Sequence, residues 1–502
     1  MPLTKLQFKP GINREITKYS NEGGWVDCDK IRFRFGYPEK FGGWEKLTSN
    51  TYQGTARRLH NWLALDGSNF LGVGTHLKYY IEEGGTFNDI TPVRASTTNS
   101  TTFSATNGSA NITVTETNHG AAENDFVIFS QAVSLGGNVT AAILNAEHQI
   151  VSVTNANTYV ITVSVTANAS DSGNGGSATD AEYQLTVGLD SQVGGTGWGA
   201  GLFGGTTAGA LTTTLAEDLD NSETGVDVAD ETGITTDNDV ILVGEELMLV
   251  TATTDDNTLT VTRGHSGTTA NTHSNGAIVR LAVGNASSDD DFTGWGIAAV
   301  SGTTREIRTW SHDNFGEDLI INPSDGGIFL WDKTTGLSTR AVEIGTISGA
   351  ENTPTVAKQV LVSDIDRHVL CFGTNTYGTT TQDPLLIRWS NQESVSNWTI
   401  SSDTTAGSLR LGSGSEFVQA IETKREILVY TDTSLHSLRF IGGEFVFGIQ
   451  QIASNITIMG PNAAVATEDF VFWMGKDNFY VYAGGTKTLP CTVKDKVFLD
   501  FI

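Results

Sequence analysis

Short apolar runs separated by turn-forming residues dominate this sequence and restrict it to a fold built from strands. Residues 159–163, 427–430 and 470–473 are examples, each combining β-branched or aromatic residues with Gly, Asp or Asn close by. Runs of this composition and length are typical of β-strands. Stretches rich in Leu, Ala, Glu and Lys at helical spacing are almost absent. The sequence therefore predicts an all-β protein.

A unit of three apolar strands joined by polar turns recurs along the chain. Its copies span residues 59–81, 307–331, 360–389, 418–440 and 464–482. The later copies start roughly 45–60 residues apart, which is close to the spacing of four-stranded propeller blades. We therefore predict a β-propeller platform, with a stack of β-sandwiches as the main alternative.

Tryptophans lie in or beside the strands of this repeat. An exposed row of them could form a platform for sugars, but their recurrence favours packing between sheets, because aromatic side chains dominate such cores. The predicted core tryptophans are Trp62, Trp310, Trp331, Trp389 and Trp473.

Charge is distributed very unevenly along the chain. Residues 96–290 contain 23 Asp and Glu but only two basic residues, Arg263 and Arg280. This segment carries −21 of the net −27, whereas residues 1–95 sum to +3 and residues 291–502 to −9. The partition indicates a chain assembled from separate parts. A polyacidic surface repels phosphate, which argues against binding to nucleic acid or anionic lipid.

The acidic segment interrupts the repeat and divides into two modules, each long enough for a small sandwich-like or barrel-like β domain. The second module is bracketed by Thr-Gly-Trp-Gly at 196–199 and again at 293–296. We predict an N-terminal arm and β segment (1–58), a first blade (59–95), an inserted acidic domain (96–182), a Gly-rich linker (183–209), a second inserted acidic domain (210–290) and the remaining blades (291–502).

Motifs that could bind cofactors or metals are weak. Residues 199–204 match G-x-G-x-x-G without the strand and helix that a dinucleotide site needs. His265 and His273, with Glu245 and Glu246 nearby, lack a fixed ligand geometry and fit turn chemistry better. The acidic runs 217–220 and 289–291 do not have the spacing of a calcium loop. We predict no metal and no cofactor.

No pattern supports catalysis. Residues 324–331 resemble the Asp-box turn of sialidase-type propellers only faintly, in the wrong order and once. Serine-hydrolase, zinc-protease and P-loop signatures are absent from the sequence. The N-terminus has no apolar signal segment, and Cys28, Cys371 and Cys491 form no motif, which fits folding in a reducing cytoplasm. We expect a protein that is not an enzyme, which disfavours a secreted propeller hydrolase.

Several stretches resemble the tail nozzle protein of short-tailed bacteriophages, also called the tail tubular or packaged-DNA-stabilisation protein. These stretches are residues 10–15, 22–34, 38–44, 310–319 and 427–435, and the resemblance covers residues 1–95 and 291–502. The second acidic module is similar to a small β domain of virion proteins, through residues 245–251 and 259–269. These motifs are specific to that phage group and not general to propellers.

The resemblance implies a structural virion protein of the phage tail, assembled in the host cytoplasm. Members form a hexameric ring of propeller platforms below the portal and adaptor, around the channel through which DNA leaves. The implied partners are other copies of the chain, the adaptor or head-to-tail connector, and tail fibres or tip proteins. Viral double-stranded DNA passes without sequence-specific binding. The family usually runs longer than this chain, so we expect either few blades or further C-terminal material.

Arg32 and Arg34 are the candidate residues for docking the upstream tail ring. They alternate with Phe33 and Phe35, so one face of their strand is predicted to be basic and the other aromatic. Charge reversal at both arginines that left ring-to-ring assembly intact would contradict this hypothesis. The alternative function is a receptor-binding or polysaccharide-binding tail protein.

Overall fold

The computed structural model describes residues 8–188, 212–234, 239–244, 246–254, 257–282, 307–443 and 445–500. Strands and tight turns make up most of these residues, which confirms the predicted all-β class. The chain divides into two compact units. The larger comprises Met1–Asp190 and Arg308–Ile502, and the smaller comprises Ser191–Ile307.

Five antiparallel four-stranded sheets, here called sheets I to V, form the main part of the larger unit, and in each the strands pair in chain order. Sheet I holds β3 (Ala56–Leu63), β4 (Asn69–Thr75), β5 (Tyr79–Glu83) and β6 (Thr86–Asp89). Sheet II holds β21 (Trp310–Phe315), β22 (Asp318–Pro323), β23 (Phe329–Trp331) and β24 (Val342–Glu343). Sheet III holds β25 (Gln359–Val362), β26 (Val369–Phe372), β27 (Leu386–Trp389) and β28 (Gly407–Arg410).

Sheet IV holds β29 (Phe417–Glu422), β30 (Ile427–Thr431), β31 (Ser434–Phe440) and β32 (Phe447–Ser454). Sheet V holds β33 (Ala464–Ala466), β34 (Val471–Met474), β35 (Phe479–Tyr482) and β36 (Thr486–Leu489). Each sequence repeat supplies the first three strands of one sheet, and a fourth strand follows it.

Both faces of the inner sheets are apolar. Apolar residues follow one another along their strands, and successive side chains point to opposite faces of the sheet. Sheets I and II share a core around Trp62, Tyr79 and Trp331, and sheets II and III share one around Ile320 and Val360. Equivalent cores join sheet III to IV and sheet IV to V. The first strands of successive sheets lie side by side, as between propeller blades. Among the described residues, no apolar cluster joins sheet V to sheet I.

An eight-stranded antiparallel sheet follows sheet I in the sequence. Its strands are β7 (Val93–Thr97), β8 (Thr102–Ala105), β9 (Asn111–Thr115), β10 (Phe126–Ser130), β11 (Glu147–Asn155), β12 (Thr158–Thr162), β13 (Asp171–Asn174) and β14 (Asp180–Gln184), with helix α1 (Ala141–Leu144) before β11. They pair in the order β13-β8-β9-β12-β11-β10-β14-β7 around a core that includes Phe103, Tyr159 and Tyr183. Sheets I and II therefore pack directly although this domain and the smaller unit separate them in sequence.

A buried charge network attaches this eight-stranded domain to sheets I and II. The side chain of Lys78 is 3% exposed, and its Nζ donates to Asp89 at 2.9 Å and to Glu147 of the inserted domain. The same ammonium lies 4.3 Å from the ring centroid of Phe126. Arg340 Nη2, between β23 and β24 of sheet II, pairs with Asp89 at 3.3 Å and with Glu147 at 3.5 Å. Although burial opposes ionisation, the two cations lower the pKa of Asp89.

The smaller unit contains a six-stranded sheet that curls back on itself. Its strands are β15 (Thr212–Thr214), β16 (Gly225–Asp227), β17 (Val240–Val243), β18 (Glu246–Thr254), β19 (Thr258–Thr262) and β20 (Ile278–Ala282), in the order β15-β20-β17-β18-β19-β16. A bridge between Leu215 and Val228 connects the two end strands, giving the barrel-like form that the sequence predicts. Ile241, Met248 and Leu259 lie in its core.

The remaining elements are small. A hairpin of β1 (Ile31–Arg34) and β2 (Tyr37–Lys40) precedes sheet I, and helix α2 (Lys494–Asp500) follows sheet V. Short 3-10 turns occupy His265–Gly267, Lys333–Thr335 and Ile344–Thr346. Over the part of the chain that the structure describes, no helix has the length and apolar character required to cross a membrane.

Replacing Lys78 with Met should destabilise the larger unit by roughly 1–3 kcal/mol, because the partly exposed carboxylates of Asp89 and Glu147 then lose the ammonium that pairs with both. The matched control is Lys358→Met, whose partner Glu416 is half exposed, and which should cost less than about 1 kcal/mol. Denaturant unfolding measures both. Equal losses in the two variants would show that the Lys78 network does not hold the inserted domain.

Candidate functional site

The first strands of sheets I to IV, and the residues just before sheet V, surround one cavity of about 20 Å³, room for about one water molecule. Its lining includes Arg58, Trp310, Gln359, Val418 and Asn462. A cavity of this size is too small to hold a polymer.

Polar side chains on the first strands link neighbouring sheets near this cavity. Ser311 Oγ accepts from the backbone N–H of Val360 at 2.9 Å. Gln359 accepts from Ala420 N–H at 2.8 Å and donates to its carbonyl at 2.8 Å. Gln419 makes the same pair of bonds to Ala464, at 3.2 and 3.5 Å. Each side chain satisfies backbone groups of the next sheet, so the bonds fix the order of sheets II to V.

Carboxylate side chains lie further along the same first strands than the residues that line the cavity. Asp313 accepts from the N–H of Val362 at 2.9 Å, and Glu422 accepts from the N–H of Asp364 at 3.0 Å. Burial raises the pKa of Asp313 despite these bonds. Burial also raises the pKa of Glu422 to about 8, and the nearby charges of Asp364, Asp313 and Asp366 add to the shift. Glu422 is therefore largely neutral at pH 7. This group ties sheets II, III and IV together.

In the smaller unit, His273 lies beside Glu246. The Glu246 carboxylate is a structural hub, that is, the shared acceptor of several hydrogen bonds. Arg263 donates two bonds to the Glu246 carboxylate, at 2.7 and 2.8 Å, and His273 Nε2 lies 2.9 Å from it. The N–H groups of Gly264 and Asn271 also donate to Glu246. These contacts lower the pKa of Glu246 to about 2, although burial opposes ionisation.

His265, on a 3-10 turn, makes none of these contacts. Among the described residues no three His, Cys, Asp or Glu side chains converge as metal ligands would. Two of the other weak motifs, residues 199–204 and 289–291, lie outside the described residues, as do both Thr-Gly-Trp-Gly segments and Glu245. In the acidic run 217–220, Asp220 accepts from the N–H groups of Ser222 and Glu223 in a turn.

The N-terminal segment, residues 8–55, contacts both the residues that follow sheet V and sheet I. Arg14 N–H donates to the Thr492 carbonyl at 2.8 Å, and Asp495 N–H donates to the Glu15 carboxylate at 2.8 Å, near the C-terminal helix. Further along, Thr48 and Asn50 donate to the carbonyl of Gly85 in sheet I, each at 2.8 Å. The segment is thus held at both ends, with the β1–β2 hairpin between them.

The hairpin places Arg32 and Arg34 on one exposed face of β1, whereas Ile31 and Phe33 are half-buried on the other. Phe33 packs against Trp25 at 6.0 Å between ring centroids, and Arg32 pairs with Glu39 at 3.1 Å. The prediction that Phe35 extends an aromatic face of this strand was wrong. Phe35 and Gly36 form the turn, with φ of 50° and 86°, because a two-residue hairpin turn requires positive φ.

All five predicted core tryptophans are buried between sheets. Trp62, Trp310 and Trp331 lie between sheets I and II, Trp389 lies between III and IV, and Trp473 lies between IV and V. Sequence reasoning missed Trp398, which is buried between sheets II and III. It also missed the linking side chains Ser311, Gln359 and Gln419, whose only sequence signal is a polar residue within an apolar strand.

No protein-family model matches this chain, and neither does any curated protein. Solved structures with some likeness include the phage phi92 endosialidase, at 11% identity and a TM-score of 0.18, covering 91% of this chain and 66% of that one. The apo AztD structure from Citrobacter koseri gives 11% identity and a TM-score of 0.23, with 84% and 94% covered. The extracellular domain of BT4673 from B. thetaiotaomicron gives 11% and 0.25, with 92% and 57% covered. Likeness this low carries no functional argument.

Replacing Glu246 with Gln should destabilise the Ser191–Ile307 unit by about 3–5 kcal/mol, because Arg263 then remains buried without a counter-charge. The wild-type ionised carboxylate stabilises the fold above its ordinary pKa near 4.5, and this stability is lost as pH falls towards 2. Hydrogen exchange of the β18 and β19 amides measures the loss. Glu217→Gln, at a half-exposed position, is the control. Unchanged exchange in E246Q would contradict the assignment of Glu246 as the hub.

Replacing Glu422 with Gln should raise the melting temperature at about pH 9 and change it little at about pH 5. The folded protein keeps a proton up to about pH 8 that the unfolded chain releases near 4.5, so wild-type stability falls as pH rises across this window. Glutamine keeps an acceptor for the Asp364 N–H and never ionises. The exposed Glu468→Gln serves as control. Shifts of equal size at the two pH values would rule out titration of Glu422 as the cause.

Proposed function

We propose that this protein is a structural virion protein, a subunit of a phage tail nozzle ring that surrounds the DNA exit channel. One observation carries the proposal: the N-terminal arm is anchored at both ends yet displays large exposed aromatic side chains. Phe35, Tyr37, Phe41 and Trp44 are all exposed. Contiguous exposed apolar groups beside basic residues mark surfaces that bind other proteins.

The proposal places the DNA channel between copies of the chain, on the axis of the ring. The sequence resemblance in residues 1–95 and 291–502 supports the same assignment. Under the proposal, six copies of the chain, as in the resembled family, form a ring that contacts the adaptor and carries fibres or tip proteins. The ring helps to retain the packaged genome and supports its ejection. The protein is located in the virion tail and has no enzymatic activity.

A groove between sheets III and IV supports one alternative, a receptor-binding or polysaccharide-binding tail protein. The groove has a volume of about 750 Å³, and its lining combines the exposed ring of Phe445 with hydroxyls of Ser401, Thr404 and Ser408. Aromatic faces next to hydroxyl groups suit sugar rings, and the volume lies within the usual range for ligand sites.

Electron microscopy of the purified full chain separates the two functions. The nozzle proposal predicts hollow rings with an axial opening wide enough for duplex DNA. The alternative predicts binding on a glycan array that is lost in Phe445→Ser, a change at an exposed side chain. Particles without a central opening would contradict the nozzle assignment, and glycan binding by such particles would support the alternative.

A further inference from the structure

We propose that the β1–β2 hairpin of one copy binds the acidic Ser191–Ile307 unit of a second copy. This inference rests on the proposed function, since it names one contact that would build the ring. It also differs from the docking of Arg32 and Arg34 on the upstream ring, because a hairpin covered by a neighbouring copy is not free for that partner.

The hairpin has the composition of a binding surface. Phe35, in the turn, is 90% exposed and Tyr37 is 76% exposed. Residues 30–40 also carry four basic side chains against one acidic residue. Aromatic and arginine side chains contribute most of the binding energy at protein interfaces. The exposed groups are Lys30, Arg32, Arg34, Phe35, Tyr37 and Lys40.

The hairpin is also incomplete as a sheet. It has only two strands, and neither pairs with a third strand among the described residues. An isolated two-stranded hairpin is marginally stable in water, and its open edges favour contact with another chain. The anchors at residues 12–15 and 48–50 hold its two ends to the larger unit. The hairpin is therefore presented at a fixed place, which lowers the entropy lost on binding.

The smaller unit supplies the complementary charge. Residues 212–282 contain 13 Asp and Glu against two Arg and no Lys. Arg263 is buried and holds Glu246, so Arg280 is the exposed cation among the described residues of this unit. Exposed carboxylates on the surface of the unit include Asp218, Asp220 and Asp230. Opposite potentials on two surfaces of one chain favour contact between copies and fix which surfaces meet.

Sedimentation of the full chain over a concentration series tests the inference. Arg32→Glu/Arg34→Glu should weaken self-association by about tenfold or more, and raised salt should weaken the wild type in the same direction. Lys424→Glu/Arg425→Glu is the control, because it reverses two exposed charges on the β29–β30 turn. It should associate like the wild type.

A charge exchange makes the test specific to the two surfaces. Glu217→Lys/Glu223→Lys alters two half-exposed carboxylates of the smaller unit and should weaken association by itself. Mixed with R32E/R34E, it should form mixed oligomers, because the new glutamates of one variant's hairpin then meet the new lysines of the other variant's smaller unit. Absence of mixed oligomers, with both variants folded by circular dichroism, would overturn the inference.

Failure of this inference is distinguishable from failure of the proposed function. If R32E/R34E still forms hollow rings, the hairpin does not build the ring, although the nozzle assignment stands. Loss of binding to the upstream ring in that case would assign the hairpin to the upstream partner. If neither the wild type nor any variant forms rings, the nozzle assignment itself fails.

Discussion

The packing of one apolar sheet face against the next is the interaction on which the rest of the structure depends. A four-stranded sheet with two apolar faces cannot remain exposed in water, because burying each large apolar side chain contributes about 1.5–3 kcal/mol. Sheets II, III and IV each cover both faces by packing between two neighbours. The side chains of Ser311, Gln359 and Gln419 then fix the register of this packing through backbone hydrogen bonds.

This packing determines where function can reside. The first strands of sheets I to IV line a cavity of only about 20 Å³. The chemically distinctive surfaces are the basic aromatic hairpin and the groove beside Phe445 in the larger unit, and the exposed carboxylates of the smaller unit. Sheets I and V are the ends of the series, and the N-terminal segment contacts both regions through residues such as Arg14 and Thr48.

The sequence predicted the strands and their grouping well, because alternation and turn residues are local signals. Every repeat contributed three consecutive strands of one sheet, and tryptophans such as Trp331 and Trp473 were found in cores. The division of the chain into domains from the charge partition stays a prediction. Repeat spacing cannot, however, show whether sheet V also packs on sheet I, because that contact joins residues far apart in the chain.

Sequence reasoning failed mainly at polar residues whose burial depends on distant partners. Lys78 reads as a surface lysine, and its burial depends on Glu147 and Arg340, which are distant in sequence. Glu246 and His273 were assigned to turn chemistry, and their ion-paired network with Arg263 was not foreseen. Phe35 was assigned to a strand because alternation continued through it, whereas turn geometry required positive φ there. Such groups are specified by tertiary partners, which local patterns do not encode.

The central claim is that the outside of this platform, and above all the hairpin, joins it to other copies. Hydrogen exchange of the dilute and the assembled protein, followed at the amides of residues 31–40, tests this claim most directly. The account predicts that exchange in this hairpin slows strongly on assembly, while the exposed turn around Arg425 is unaffected. Assembly that leaves the hairpin exchange unchanged would contradict it.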